Sequence, residues 1–166
     1  MSLTTEIEIT PFKADDAFAM TLTEQATQSF AGVDLRENFA LYEQKGPAWT
    51  MRIGGDIIGC AGLMFPWPSG PLALAWLLPS PQLPGYPKPA ILSLLTQLRT
   101  LIHQYQPRRI EFLVAANFSM GQRFAEFLGF RRDGCHEPPC PTCGLVQAYG
   151  PHGEDYVRYI WIADAT

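Results

Sequence analysis

No stretch of this 166-residue chain is purely apolar for longer than Leu72–Leu78, far short of the roughly 20 residues needed to cross a bilayer, so no membrane-spanning helix is expected. Charge is scarce too. Asp, Glu, Lys and Arg make up 17% of the residues, and 12 Lys and Arg against 16 Asp and Glu leave a net charge of −4. A chain so short of cations does not offer the broad phosphate-binding surface that nucleic acid requires. Its 47% apolar residues also exclude a disordered chain. Cysteine is sparse and clumped. Cys60 stands alone in an apolar segment while Cys135, Cys140 and Cys143 crowd together, so a disulfide framework is not expected. Met1–Glu6 has neither a basic start nor an apolar stretch before a small-residue cleavage site. No secretory leader is therefore expected, and the expected location is a reducing cytoplasm.

What is present reads as one domain over residues 1–166, large enough to bury about two thirds of its extended surface without metals or disulfides. Ile7 and Ile9 alternate with polar neighbours and predict a short first strand. Asp15 and Asp16 open a helix whose apolar residues run through Phe18, Leu22 and Phe30 to a stop at Gly32; Asp34 and Glu37 cap a second. Trp49–Ile53 and Ile57–Phe65 form a hairpin through Gly54-Gly55-Asp56. Leu72–Leu78, apolar on both faces, predicts a central strand. The segment Pro79–Pro89 carries five prolines and is rigid without being regular. Ile91, Leu94, Leu95, Leu98, Leu101, Ile102 and Tyr105 then form one stripe of a long helix, with His103 on the wet face. Ile110–Ala115 predicts a strand, Ser119–Leu128 a helix with Met120, Phe124, Phe127 and Leu128 inward, and Tyr156–Ile162 a last alternating strand. This order fits a mixed sheet with helices on its faces.

The element order, the apolar strand leading through a Gly-containing loop into a long helix, and the segment Asn117–Phe130 closing on Leu128-Gly129-Phe130 resemble the GNAT N-acetyltransferase superfamily. The resemblance covers nearly the whole chain. Trp76-Leu77-Leu78, Arg123–Leu128 and Gly153-Glu154-Asp155-Tyr156 are also similar to GNAT-like proteins of tailed phages, some of them virion components that need not be enzymes. The implied fold is α/β (α+β): a mixed, mostly antiparallel sheet of roughly six to seven strands flanked by about four helices. It is splayed between the fourth and fifth strands, Leu72–Leu78 and Ile110–Ala115.

The implied activity is acetyl transfer from acetyl-CoA to a primary amine, on a small molecule or a protein, by direct attack. Backbone groups bared by the splay bond the pantetheine, and an N–H near Leu77 or Leu78 polarises the thioester carbonyl. The family cradles pyrophosphate with Gln or Arg, two spacers, Gly, one spacer, then Gly or Ala. Here the matching run is Gln82-Leu83-Pro84-Gly85-Tyr86-Pro87. Pro87 replaces the last small residue, and Pro84, Pro87 and Pro89 contribute no N–H. The family's acid position falls on Ala125, beside Phe124, and neither donates a proton; Tyr156 or Tyr159 are the substitutes, or else ordinary strand residues. Asn117 is either a cofactor contact or the cap of the next helix, a role Ser119 fills equally well.

An insertion-like Cys- and Pro-rich loop occupies residues 135–153. Cys140 and Cys143 have the spacing for two zinc thiolates, with Cys135, His136 or His152 completing the set. The same residues also read as reduced thiols in a stiff loop, or as a Cys140–Cys143 disulfide. Three readings follow: an acetyl-CoA-dependent N-acetyltransferase, a catalytically silent GNAT-like binding or virion protein, and a zinc-stabilised interaction module. Exposed aromatics and the final strand are compatible with a homodimer.

Overall fold

The computed structural model describes residues 6–85, 87–134 and 140–164, and its backbone divides into two compact units. One takes the chain up to Met64 together with Trp76–Tyr105; the other takes Phe65–Ala75 and the chain from Gln106.

In the first unit β1 (Glu8–Pro11) is followed by three helices, α1 (Ala14–Ala19), α2 (Glu24–Ser29) and α3 (Leu35–Gln44), and then by β2 (Ala48–Ile53) and β3 (Asp56–Met64). β1 lies antiparallel to β2 with Glu8 opposite Arg52, and β2 lies antiparallel to β3. The β2–β3 turn needs two successive left-handed residues, supplied by Gly54 (φ 57) and Gly55 (φ 91). β4 (Leu72–Pro79) begins in the second unit and ends in this one, beside β3, and α4 (Pro87–Tyr105) follows. The core gathers Phe12, Ala17, Met20, Phe39, Cys60, Trp76 and Leu78. Phe12 meets the Trp76 ring edge-on at 5.2 Å and Tyr42 stacks on Trp76 at 4.4 Å. α4 buries Leu94, Leu98 and Leu101, as its stripe predicts, and Ala90 besides, but Tyr105 is exposed.

The single helix expected from Asp15 to Phe30 is two. Met20 turns extended (ψ 153), and Thr23 caps a new helix by accepting the Ala26 N–H at 3.2 Å. Such a hydroxyl competes with the helical backbone for its own hydrogen bonds, so it favours a start over a continuation. Asp34 caps α3 as expected, accepting from Arg36 and Glu37.

α1 is fastened to the sheet by one carboxylate. Asp16 accepts from Thr50 Oγ1 at 2.7 Å, from Arg52 Nη2 at 2.7 Å, and from the backbone N–H of Lys13 at 3.2 Å. Thr50 is fully buried, and its hydroxyl lies 3.7 Å from the equally buried Cys60 sulfur.

In the second unit β5 (Arg109–Ala115) pairs parallel with the start of β4 and antiparallel with β8 (Tyr156–Ile162). α5 (Ser119–Phe127) separates β5 from the two-residue strands β6 (Arg131–Arg132) and β7 (Leu145–Val146), both paired with β8. Strand order is thus β1-β2-β3-β4 in the first unit and β4-β5-β8-β6 in the second, eight strands among the described residues. The two extra strands are too short to leave an alternating signal, and the fifth helix comes from the break at Met20.

α5 is turned only partly as expected: Phe124 and Leu128 are half-buried, but the other two residues expected inward are not. Met120 and Phe127 are exposed, at 55% and 64%, while Ala125 is fully buried and Gly121 and Gln122 are half-buried. A Cβ on Gly121 would run into the Phe118 ring and stand 2.9 Å from Val114 Cγ1. Close approach to β5 puts the small Gly121 and Ala125 on the inward stripe, at the expense of Met120 and Phe127.

Replacing Asp16 by Ala orphans the buried hydroxyl of Thr50 and the guanidinium of Arg52 and lowers unfolding free energy by about 3 kcal/mol. Urea denaturation measures it, and a loss below roughly 1 kcal/mol would show the carboxylate is not the fastening.

Candidate active site

The parallel ladder between β4 and β5 is short. Leu72, Ala73 and Leu74 pair with Arg109, Ile110 and Glu111, and among the described residues no further rung joins the strands, although β4 continues to Pro79 and β5 to Ala115. Trp76–Pro79, the part of β4 in the first unit, belongs to a strand that neighbours β3 and, among the described residues, has no rung with β5. Successive side chains leave opposite faces of a strand. Trp76 and Leu78 anchor this segment in the core while Leu77 is half-buried on the opposite face. The core thus holds this part of the strand through Trp76 and Leu78, beyond the last rung to β5 among the described residues.

Beyond Pro79 the chain makes a tight turn. The Ser80 N–H donates to Ile58 O at 3.1 Å, and Ser80 is itself buried. Its Oγ accepts the Gln82 N–H at 3.2 Å, its carbonyl accepts the Leu83 N–H at 3.1 Å, and the Gln82 carbonyl accepts the Gly85 N–H at 2.9 Å. Leu83–Gly85 is one turn of 3-10 helix with Leu83 buried. Gln82 and Gly85 are therefore brought together near the end of β4, but their amides point into the turn. Tyr86 lies outside the described residues. Lys88, exposed in the first turn of α4, is a cation where no acidic residue offsets the helix dipole.

The remaining candidates sit in the second unit. Asn117 and Ser119 flank the start of α5, but the capping position belongs to Phe118, which makes no side-chain cap; neither candidate is the cap. Tyr156 pairs with Ala115 in the ladder, and its ring lies 5.5 Å from that of Tyr149. Tyr159 is fully buried, and its hydroxyl donates to Glu126 Oε1 at 3.1 Å. Burial and then the Glu126 carboxylate push its phenol up, against the opposing pull of Arg132. Sequence reading missed the chain behind it. Arg132 donates to Gln122 Oε1 and to Pro141 O, both at 3.0 Å, and Gln122 Nε2 donates to Ala116 O at 2.8 Å. A glutamine on the inward stripe of α5 was the available signal.

No family model matches the sequence, and no curated protein matches it either. Solved structures do match in fold. A GNAT-family acetyltransferase from Bacillus anthracis superposes with TM-score 0.67 at 15% identity, covering 95% of each chain. An N-acetyltransferase from Staphylococcus aureus Mu50 gives 0.69 at 16%, covering 95% of this chain and 99% of its own. The protein yncA from Salmonella typhimurium, solved with its cofactor acetyl-CoA, gives 0.68 at 15%, covering 98% and 96%. The chain has the GNAT fold.

Among the described residues no three His, Cys, Asp or Glu side chains gather as ligands for a metal, so the zinc expectation gains no support; Cys135 and His136 lie outside the described residues. His152 is exposed, with its N–H on Glu154 Oε2 at 2.8 Å. Cys140 and Cys143 form a thiol pair 2.7 Å apart. The Cys143 sulfur, and then the Thr142 hydroxyl, pull the Cys140 thiol down to about 7, whereas burial pushes Cys60 up to about 11.

Alkylation by iodoacetamide should follow those directions. Cys140 reactivity climbs through pH about 7, as its thiolate forms, and levels off above, whereas Cys60 reacts only after unfolding. Peptide mapping across pH 5.5–9.5 checks this, roughly the range over which thiols titrate. A Cys140 profile centred on the ordinary thiol value of about 8.5 would mean its neighbours do not stabilise the thiolate.

Proposed function

We propose that the chain is an acetyl-CoA-dependent N-acetyltransferase acting on a primary amine. The observation that carries this reading is the unpartnered edge of β4 from Trp76 to Pro79. Extended peptide groups at 3.3 Å rise, roughly the spacing along any strand, match the alternating amide donors and acceptors of a pantetheine arm, which adds to the edge as another strand would. A backbone N–H near Leu77 or Leu78 points at the thioester oxygen and gains strength as the attacking amine places negative charge there. The neutral amine attacks the carbonyl carbon, the C–N bond forms as the C–S bond breaks, the nitrogen gives up one proton to water, and CoA leaves as a thiolate. Ala125 offers no proton at the place the family puts its acid, so in this reading the thiolate takes its proton from solvent.

The phosphate end is held differently from the family pattern. The amides of Gln82, Leu83 and Gly85 are satisfied inside the turn, and prolines 84, 87 and 89 have none. That leaves the α4 dipole and the ammonium of Lys88 to meet the pyrophosphate. These spent amides also favour a second reading, a GNAT-like binding or virion-associated protein that has kept the fold and lost the cofactor.

Isothermal titration with acetyl-CoA and with CoA separates the two. The enzyme reading expects one saturable site per chain and turnover of a panel of primary amines followed by CoA release. Lys88→Glu should weaken CoA binding at least tenfold, about 1.4 kcal/mol, without lowering thermal stability. Absence of saturation at millimolar ligand would remove the enzyme reading and leave the silent one.

A further inference from the structure

The pair Cys140 and Cys143 takes no part in the proposed transfer, yet the fold holds it in a defined arrangement. Cys143 donates its N–H to the Cys140 carbonyl at 3.3 Å, closing one turn, and that turn brings the two sulfurs to 2.7 Å. Both ends of the turn are fastened: Arg132 Nη1 donates to Pro141 O at 3.0 Å, and the Arg158 N–H donates to Gly144 O at 2.7 Å. A disulfide bond needs about 2.05 Å, so small side-chain rotations suffice to form one while the backbone stays in place.

The two sulfurs are also unequal. Cys140 is partly exposed and has the Thr142 hydroxyl 3.5 Å away, whereas Cys143 is 6% exposed. An outside reagent therefore reaches Cys140 first, and Cys143 reacts with what Cys140 has become. We propose that Cys140 and Cys143 are a dithiol–disulfide couple that exchanges with low-molecular-weight disulfides, Cys140 as the attacking sulfur and Cys143 as the resolving one. The Cys140 thiolate attacks one sulfur of the external disulfide, whose other half leaves as a thiolate and is protonated. Cys143, giving up its proton, attacks the Cys140 sulfur of the mixed disulfide and expels the second half. Two protein thiols are oxidised and one external disulfide is reduced to two thiols. The lowered Cys140 thiol supplies thiolate near neutral pH, and the couple stands whether or not the chain transfers acetyl groups.

The test is intact-mass and peptide mass spectrometry of the full chain equilibrated with oxidised glutathione. The wild-type protein should lose two hydrogens, localised to a Cys140–Cys143 bridge that dithiothreitol reopens. Cys143→Ser should stop at a glutathione adduct on Cys140, and Cys140→Ser should react at least tenfold more slowly than Cys143→Ser. Three results would overturn the proposal: both thiols still alkylatable after excess oxidant, a bridge made instead to Cys60 or Cys135, or protection of both thiols that a zinc chelator relieves. Thermal melting of each variant under reducing conditions confirms that the comparison is between folded proteins.

Discussion

Hydrogen bonding between β4 and β5 stops after Leu74, and the proposed acetyl transfer depends on that stop. Up to Leu74 the strand shares rungs with β5; beyond it, among the described residues, it shares none. A strand with one bare edge would ordinarily invite aggregation or fray. Here it is fixed from below by Trp76 and Leu78, buried among Phe12, Phe39 and Cys60, with Tyr42 stacked on the indole. Dispersion and apolar burial do the holding, so the peptide groups need not. Asp16 contributes indirectly by fastening α1, whose Ala17 belongs to the same core, to Thr50 and Arg52 of β2.

The elements with sustained periodicity were legible in the sequence. β8 runs from Tyr156 to Ile162 as its alternation predicts, and α4 buries the stripe read from Leu94, Leu98 and Leu101. The elements missed are those settled by contacts that leave no periodic trace. One hydroxyl, Thr23, divides a helix. Gly121 and Ala125 win the inward face of α5 because the helix lies close to Val114, a distance that hydrophobicity does not encode.

The candidate site came into view through the resemblance to GNAT proteins, and its roles belong to the proposed function. The apolar β4 and the run Gln82–Pro87 pointed to a cofactor edge and a phosphate turn. That the amides of Gln82, Leu83 and Gly85 close on Ser80 and Gln82 was not legible, since backbone-to-backbone bonds in an irregular turn have no residue signature beyond the prolines themselves. Tyr159 alternates like any strand residue; its partner Glu126 lies 33 residues earlier on another element, and only folding joins them.

The proline-laden turn after β4 has a consequence for timing. With φ fixed at each proline and the amides of Ser80, Gln82, Leu83 and Gly85 already closed, little conformational freedom is left in this turn for the proposed anion to remove. A ligand there forgoes the many amide contacts of a supple cradle but also escapes the entropic toll of shaping one. In the proposed function, a carrier exchanged at every turnover would meet a seat whose shape is set before it arrives.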